Sequence, residues 1–254
     1  MKLTLVGAGP GDPELITLKG IRALEQADVI MYDALVHPDL LDYCRPDALK
    51  VYVGKRRGAY SCMQEDINPL IVHYARQYGH VVRLKGGDSF VFGRGYEEIE
   101  FARQHGIDTA VVPGLSSSYA VPAAAGVPLT TRGLSESFWV VTGTTKAGKL
   151  SADLRLAAQS SATVVVLMGM HKLPEIAALF AEHGKATTPV AIVQNGTLPE
   201  QRSVFGRIDS IVGCAAESGI DNPAIIVIGE VAGLPLRSGE LVREVAGLRV
   251  GLDV

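Results

Sequence analysis

The chain has 254 residues, of which 47% are hydrophobic and 20% are charged, and its formal net charge is -3. This composition describes a globular protein with a substantial core, large enough for one large domain or two ordinary ones, and it excludes a disordered chain. The slightly acidic balance argues against non-specific binding of nucleic acid.

The N-terminal run MKLTLVGAG is too short for a signal-peptide core, and no later apolar stretch approaches the length of a membrane span. We therefore expect a cytoplasmic protein without a membrane partner.

The cysteines and histidines show no metal-binding or redox spacing. Cys44, Cys62 and Cys214 are odd in number and far apart, and the six histidines form no HExxH pattern. The sequence therefore predicts no metal site and no disulfide framework.

Short apolar runs alternate with helical patterns along the whole chain. Strands are predicted at residues 3–6, 29–32, 49–53, 81–84, 109–112, 138–142, 163–167, 190–193, 203–205 and 224–228. Helices are predicted to start at Asp12 and Pro13, at the Ser61 to Gln64 capping spacing, and over 96–105, 173–182 and 208–216. This alternation predicts an α/β protein with mostly parallel sheets in both halves.

Gly, Pro and Thr cluster at residues 130–133, just before a new strand. We place a domain boundary there, with domains at 1–132 and 133–236. The tail 237–254 mixes charges and glycines without a pattern that predicts structure.

Glycines follow the first strand in the run VGAGPGD, which invites comparison with a dinucleotide-binding loop. The fingerprint fails because Asp12 stands where the third glycine is needed, and Pro10 removes a backbone donor. A nicotinamide-binding protein therefore stays open only as an alternative.

Charged residues follow several predicted strands directly. Asp33, Lys55 and Asp88 come at or just after strand ends, and the carboxyl ends of parallel strands share one rim, where α/β sheets bind ligands. A carboxylate and an ammonium at this rim suit acid/base chemistry, and the alternative is a solvated rim charge. Arg57, beside Lys55, suits recognition of an anion.

The run RLKGGDSFVFGRG joins a strand, a glycine loop and a helix start. Gly86 and Gly87 permit unusual backbone geometry, and the residues after Asp88 form an apolar wall. Arg94 and Glu97 suit either ligand binding or an i,i+3 surface pair.

Taken together and in order, the motifs VGAGPGDPELITLKG, YDALV, VGKRRG, RLKGGDSFVFGRGYEE, VPGLSSSYAVPAAAGVPLTTRG, LMGM and PVAIVQNGT resemble those of the uroporphyrinogen-III C-methyltransferases. These enzymes are S-adenosylmethionine-dependent tetrapyrrole methylases, and the resemblance covers nearly the whole chain. It implies two α/β domains with the active site in the cleft between them, and a homodimer.

The resemblance also implies roles for individual residues. Asp33 matches a proton acceptor and Lys55 a proton donor, and Glu97 is a second candidate for the proton-accepting role. Together with Arg57, the residues implied on the tetrapyrrole side are Arg94, Glu97 and Arg132. The residues implied to line the S-adenosylmethionine pocket are Pro10, Gly86, Gly87, Asp88, Val91, Ser116, Ser117, Met168 and Gly196.

The implied reaction is methylation of uroporphyrinogen III at carbons 2 and 7, through precorrin-1 to precorrin-2, with release of S-adenosylhomocysteine. The product would serve cobalamin, sirohaem or haem d1 biosynthesis. The alternatives are a methyltransferase acting on a later precorrin and the nicotinamide-binding protein.

Overall fold

The structure is a computed structural model that describes residues 1–54 and 64–237. The chain divides into two compact units, the first ending at Ser117 and the second beginning at Ser118. Val121, Ala125 and Val127 pack in a core of the second unit, which explains why the division precedes the 130–133 cluster. The boundary at 132/133 stays a prediction. The predicted tail from 238 onward lies outside the described residues.

The first unit is built on a five-stranded parallel sheet with the order β3-β2-β4-β1-β5. Its strands are β1 Lys2–Gly7, β2 Val29–Tyr32, β3 Leu49–Tyr52, β4 His80–Lys85 and β5 Asp108–Val112. Its helices are α1 Leu18–Glu25, α2 Gln64–Tyr78 and α3 Gly95–Gln104, and short 3-10 turns occur at Pro13–Leu15 and Pro38–Tyr43.

Side chains of the first sheet alternate between two cores, as the period of a strand requires. Leu3 and Leu5 of β1 pack in the core that contains Ile71 of α2. Val6 packs in the other core, with Leu24 of α1. Helices thus cover both faces of the sheet, which leaves the loops at its carboxyl edge to form a site.

The first predicted helix begins later than the sequence suggested. Asp12 caps a 3-10 turn, where its Oδ1 accepts a hydrogen bond from Glu14 N at 2.9 Å. Helix α1 starts only after Thr17, whose Oγ1 accepts from Gly20 N at 3.1 Å. Leu18, the first residue of α1, is 74% exposed.

The second unit contains a five-stranded mixed sheet with the order β6-β7-β10-β8-β9. Its strands are β6 Phe138–Thr142, β7 Thr163–Leu167, β8 Pro189–Gln194, β9 Arg202–Arg207 and β10 Ala224–Ile228. The helices that follow Ser116 are α4 Ser117–Ala124, α5 Asp153–Gln159, α6 Leu173–Glu182, α7 Ile211–Ser218 and α8 Leu234–Arg237.

The expectation of a mostly parallel second sheet is wrong. Only β6 and β7 pair in parallel, whereas β7 with β10, β10 with β8 and β8 with β9 are antiparallel. The short segment 195–201 reverses the chain between β8 and β9, and β10 inserts between β7 and β8 in the opposite direction. Within the described part of the chain, no helix combines the length and apolar character needed to cross a bilayer.

Candidate active site

Three loops meet at the carboxyl edge of the first sheet, and glycines allow them to touch. Gly9 and Gly87 exchange backbone hydrogen bonds, with Gly87 N donating to Gly9 O at 2.7 Å and Gly9 N donating to Gly87 O at 3.2 Å. A Cβ on Gly7 would lie 2.7 Å from Gly87 O, and one on Gly114 would lie 2.5 Å from the same oxygen. Since no rotamer relieves a clash with backbone, only glycine fits at Gly7 and Gly114.

Asp88 fixes the geometry of this glycine cradle, which consists of the loops after β1, β4 and β5. Its Oδ2 accepts a hydrogen bond from Gly114 N at 3.0 Å, and its Oδ1 accepts from Phe90 N at 2.8 Å. The Asp88 carboxylate therefore bridges two protein loops. Its visible contribution is therefore to hold the cradle in shape.

The cradle fits the methyl donor that the sequence implies. The missing side chains at Gly7 and Gly114 keep the three loops in contact, and the cradle they form lies at the carboxyl edge of the sheet, where α/β proteins bind ligands. Other members of the expected set lie around it. Pro10 directly follows Gly9, Val91 is 36% exposed, Ser116 is buried and Ser117 begins α4.

Met168 and Gly196, the remaining members of that set, belong to the second unit. Met168 follows β7 and Gly196 lies just after β8, and both strands pair with β10, so the two residues share one edge of the second sheet. Met168 is 51% exposed, and its φ of 54° is unusual for a residue that is not glycine. Met168 therefore does not fill the core of the second unit.

Asp33 lies at the end of β2, as the sequence predicted. Its ion-pair partner, Arg83, was not predicted from the sequence. Arg83 NH2 donates to Asp33 Oδ1 at 2.5 Å, and Arg83 is 1% exposed. Within residues 1–54 and 64–237, Asp33 Oδ2 accepts no hydrogen bond. One carboxylate oxygen is thus held from inside the protein, and the side chain is 28% exposed.

Glu98, at 0% exposure, lies behind Arg83. Its Oε1 accepts from Lys85 Nζ at 2.8 Å and from Gln64 Nε2 at 3.0 Å, and it lies 3.4 Å from Arg83 Nε. Arg83 and Lys85 stand two residues apart in an otherwise apolar strand, so they point to the same face. That spacing is the signal in the sequence that could have revealed this buried cluster.

The buried cluster alters the acid/base behaviour of Lys85. Burial, followed by the charge of Arg83, holds the pKa of the Lys85 ammonium below its ordinary value, and the carboxylates of Glu98 and Asp33 oppose this change.

Arg94 and Glu97 form the surface pair that the sequence left open. Arg94 Nε and NH2 donate to the two oxygens of Glu97 at 2.9 and 2.6 Å, and both side chains are about half exposed. The hydrogen bonds that Arg94 donates to Glu97 raise the pKa of the Arg94 guanidinium. Arg94 also caps α3 with a φ of 57°, and Phe92 nearby has a φ of 52°. Such conformations at two residues that are not glycine concentrate strain in this loop.

Arg132 is the other expected substrate residue that the structure describes. Arg132 is exposed between α4 and β6, in the second unit. Lys55 and Arg57 lie outside the described residues, as does Ser61. Among the residues that the structure does describe, no group of three or more His, Cys, Asp or Glu side chains is arranged to hold a metal ion.

Comparison with known proteins agrees with the resemblance found in the sequence. Residues 2–212 match the family model of tetrapyrrole (corrin/porphyrin) methylases. The chain is 46% identical over 232 residues to the uroporphyrinogen-III C-methyltransferase of Methanocaldococcus jannaschii, covering 91% of this chain and 96% of that one.

Two further matches bear on length and fold. The siroheme synthase of Psychrobacter cryohalolentis is 46% identical over 91% of this chain, which spans only 44% of that longer protein. The structure of the Thermus thermophilus uroporphyrin-III C-methyltransferase complexed with S-adenosylhomocysteine has a TM-score of 0.78 at 41% identity, covering 92% of this chain and all of that one. The resemblance and the two α/β units expected from the sequence are confirmed, and the chain belongs to the tetrapyrrole (corrin/porphyrin) methylases.

Proposed function

We propose that the protein transfers two methyl groups from S-adenosylmethionine to uroporphyrinogen III, at carbons 2 and 7, through precorrin-1 to precorrin-2. The observation that carries this proposal is the 46% identity to the Methanocaldococcus jannaschii uroporphyrinogen-III C-methyltransferase over nearly its full length. A product at this stage would serve cobalamin, sirohaem or haem d1 biosynthesis. A cytoplasmic location and a homodimer remain predictions.

The glycine cradle is the proposed methyl-donor site in the first unit. When bound, S-adenosylmethionine supplies an electrophilic methyl group on a sulfonium, which an electron-rich pyrrole carbon attacks in line. The protein's own contribution is to align the reactants and exclude water. Gly86, Gly87 and Asp88 shape the cradle, and Val91 provides an apolar contact beside it.

Methylation leaves a cationic macrocycle that must lose a proton, and the geometry favours Asp33 over Glu97 as the acceptor. Asp33 is partly buried, is held through Oδ1 and keeps Oδ2 available. Both oxygens of Glu97 are engaged by Arg94. A general base needs an accessible lone pair at a fixed position, which Asp33 provides. Lys55 is the proposed proton donor.

Basic side chains are the proposed contacts of the tetrapyrrole. The acetate and propionate arms of uroporphyrinogen III are carboxylates, which pair well with guanidinium groups through two hydrogen bonds. Arg57, Arg94 and Arg132 are the candidates. Arg94 is accessible, and its pairing with Glu97 presets its orientation.

The decisive experiment incubates the purified protein with uroporphyrinogen III and S-adenosylmethionine carrying a deuterated methyl group, followed by mass spectrometry. We expect a product with two labelled methyl groups and two equivalents of S-adenosylhomocysteine. Methylation confined to a later precorrin would favour the first alternative. Binding of a nicotinamide cofactor with no methyl transfer would favour the second.

The substrate side is tested separately with Arg94→Ala. We expect a higher KM for uroporphyrinogen III and an unchanged dissociation constant for S-adenosylhomocysteine. Arg103→Ala is the matched control, because Arg103 lies on α3 and its side chain donates a hydrogen bond to Thr109, on β5. If Arg94→Ala behaves like the control, Arg94 does not contact the tetrapyrrole.

A further inference from the structure

Four charged side chains form a continuous chain of contacts from helix α3 to the end of β2. We call Lys85, Glu98, Arg83 and Asp33 the Glu98 network. Glu98 contacts Lys85 at 2.8 Å and Arg83 at 3.4 Å, and Arg83 contacts Asp33 at 2.5 Å. The network therefore connects a residue that no ligand can reach to the proposed proton acceptor.

Burial falls steeply along the Glu98 network. The side chains of Glu98, Arg83 and Lys85 are 0%, 1% and 6% exposed, whereas that of Asp33 is 28% exposed. Buried charges are tolerated only when they are paired and hydrogen-bonded. Two cations and two anions balance here, and Asp33 is the one member that meets solvent or a ligand.

The guanidinium of Arg83 is held on several sides at once. NH1 donates to the carbonyls of Met31 at 3.3 Å and Leu84 at 3.2 Å, and NH2 donates to Asp33. Nε makes no hydrogen bond among the described residues, and the charge of Glu98 Oε1, 3.4 Å away, is what balances it. A planar guanidinium held in this way can present NH2 to Asp33 in only one direction. The direction of Arg83 NH2 therefore fixes the position of Asp33 Oδ1.

Glu98 supplies the charge that makes this arrangement possible. Its Oε1 lies between Lys85 and Arg83, while its Oε2 is buried without a hydrogen-bond partner among the described residues. A carboxylate that leaves one oxygen unsatisfied is costly unless its charge is needed. Without it, two buried cations would face each other with only Asp33 to balance them. The lowered pKa of Lys85 agrees with this, because its main causes are burial and the nearby charge of Arg83.

We infer that Glu98 is a positioning residue for methyl transfer: by holding Arg83 it sets the Asp33 carboxylate, so that Oδ2 faces the substrate as the proton acceptor. This inference rests on the proposed function, in which Asp33 takes the proton from the methylated macrocycle. Glu98 itself touches neither substrate.

The test compares Glu98→Gln with Glu100→Gln. Gln keeps the shape of the Glu98 side chain and removes its charge, and Glu100 is an exposed carboxylate on the same helix. We expect Glu98→Gln to lower kcat by about tenfold or more, as befits a misplaced base. The dissociation constant for S-adenosylhomocysteine and the KM for uroporphyrinogen III should stay close to the wild-type values. Glu100→Gln should change none of these quantities.

A second comparison separates positioning from general stability. If Glu98 acts through Asp33, then Asp33→Asn/Glu98→Gln should have the same kcat as Asp33→Asn alone. Losses that multiply in the double variant would overturn the inference, and so would a wild-type kcat in Glu98→Gln.

The double variant Glu98→Gln/Lys85→Met is a control for misfolding, because it removes one buried charge of each sign. We expect this variant to keep its affinity for S-adenosylhomocysteine. Its kcat should still be reduced, because Arg83 has lost the charge of Glu98 that holds it. A recovered kcat would overturn the inference. Failure of the proposed function is distinguishable, because the wild-type protein itself would then form no doubly methylated product.

Discussion

Asp88 Oδ2 accepts a hydrogen bond from the backbone amide of Gly114 at 3.0 Å, which joins the loop after β4 to the loop after β5. The same carboxylate accepts from Phe90 N through its other oxygen. The Asp88 side chain thus fixes the distance between two backbone segments, as backbone hydrogen bonds do between neighbouring strands. The shape of the glycine cradle depends on it.

Asp88→Ala removes both of these acceptors. We expect a loss of about 2 kcal/mol in the free energy of unfolding, because hydrogen bonds to a charged group are worth more than neutral ones. The affinity for S-adenosylhomocysteine, measured by titration calorimetry, should fall by roughly tenfold or more as the cradle loosens. Asp108→Ala is the control, since Asp108 is exposed and its side chain makes no hydrogen bond or ion pair with the described residues. Equal behaviour of the two variants would show that Asp88 does not shape the cradle.

Gly114→Ala tests the close approach of the loops. The new Cβ would lie 2.5 Å from Gly87 O and 2.7 Å from Gly7 Cα, both backbone atoms, so the loops must separate. We expect destabilisation of about 2 kcal/mol or more in urea unfolding. Gly213→Ala is the matched control, because a Cβ there meets nothing within 4 Å inside α7. That change should raise stability by up to about 1 kcal/mol. A tolerated Gly114→Ala would contradict the packing described here.

Asp33→Asn and Glu97→Gln distinguish the two candidate proton acceptors. Since both oxygens of Glu97 already accept from Arg94, whereas Asp33 is held through Oδ1 alone, we expect Asp33→Asn to lower kcat by about a hundredfold. Glu97→Gln should chiefly raise the KM for uroporphyrinogen III, because it releases Arg94 from its preset orientation. Steady-state kinetics with both variants measures this. The reverse pattern would assign the proton to Glu97.

His80 gives the first unit a dependence on pH. Its Nε2 lies 2.9 Å from Thr4 Oγ1, its Nδ1 lies 3.0 Å from Gln26 O, and burial lowers its pKa from 6.5. Below pH 6.5 the unfolded chain therefore binds more protons at this position than the folded chain, so stability falls as the pH drops from 6.5 towards the folded pKa. Above pH 6.5 this contribution is constant.

Urea unfolding of wild-type protein and His80→Gln at about pH 7.5 and about pH 5 checks this prediction. The stability advantage of the wild type should shrink at the lower pH. His73→Gln, which changes an exposed histidine on α2, should leave the pH dependence unaltered. An advantage that grows on acidification would show the opposite shift.

Local patterns were enough to predict much of this molecule. Each predicted strand is present within a residue or two, and α6 occupies residues 173–182 as predicted. The alternation of buried and exposed residues and the capping of helices depend on residues close together in the chain, so a short window of sequence is enough to predict them. The glycines after β1 and β4 were also predictable, because a glycine permits close approach of backbone wherever it occurs.

The partners of each element were decided only by the tertiary structure. Asp33 and Arg83 lie 50 positions apart in the chain, so no local pattern joins them. The direction of β10 between β7 and β8 likewise depends on which edges are free when the sheet assembles, because an apolar strand has the same side-chain period in either direction. The sequence alone thus determined the strands, the glycine turns and the family, whereas strand direction and the Glu98 network arise from contacts between distant residues.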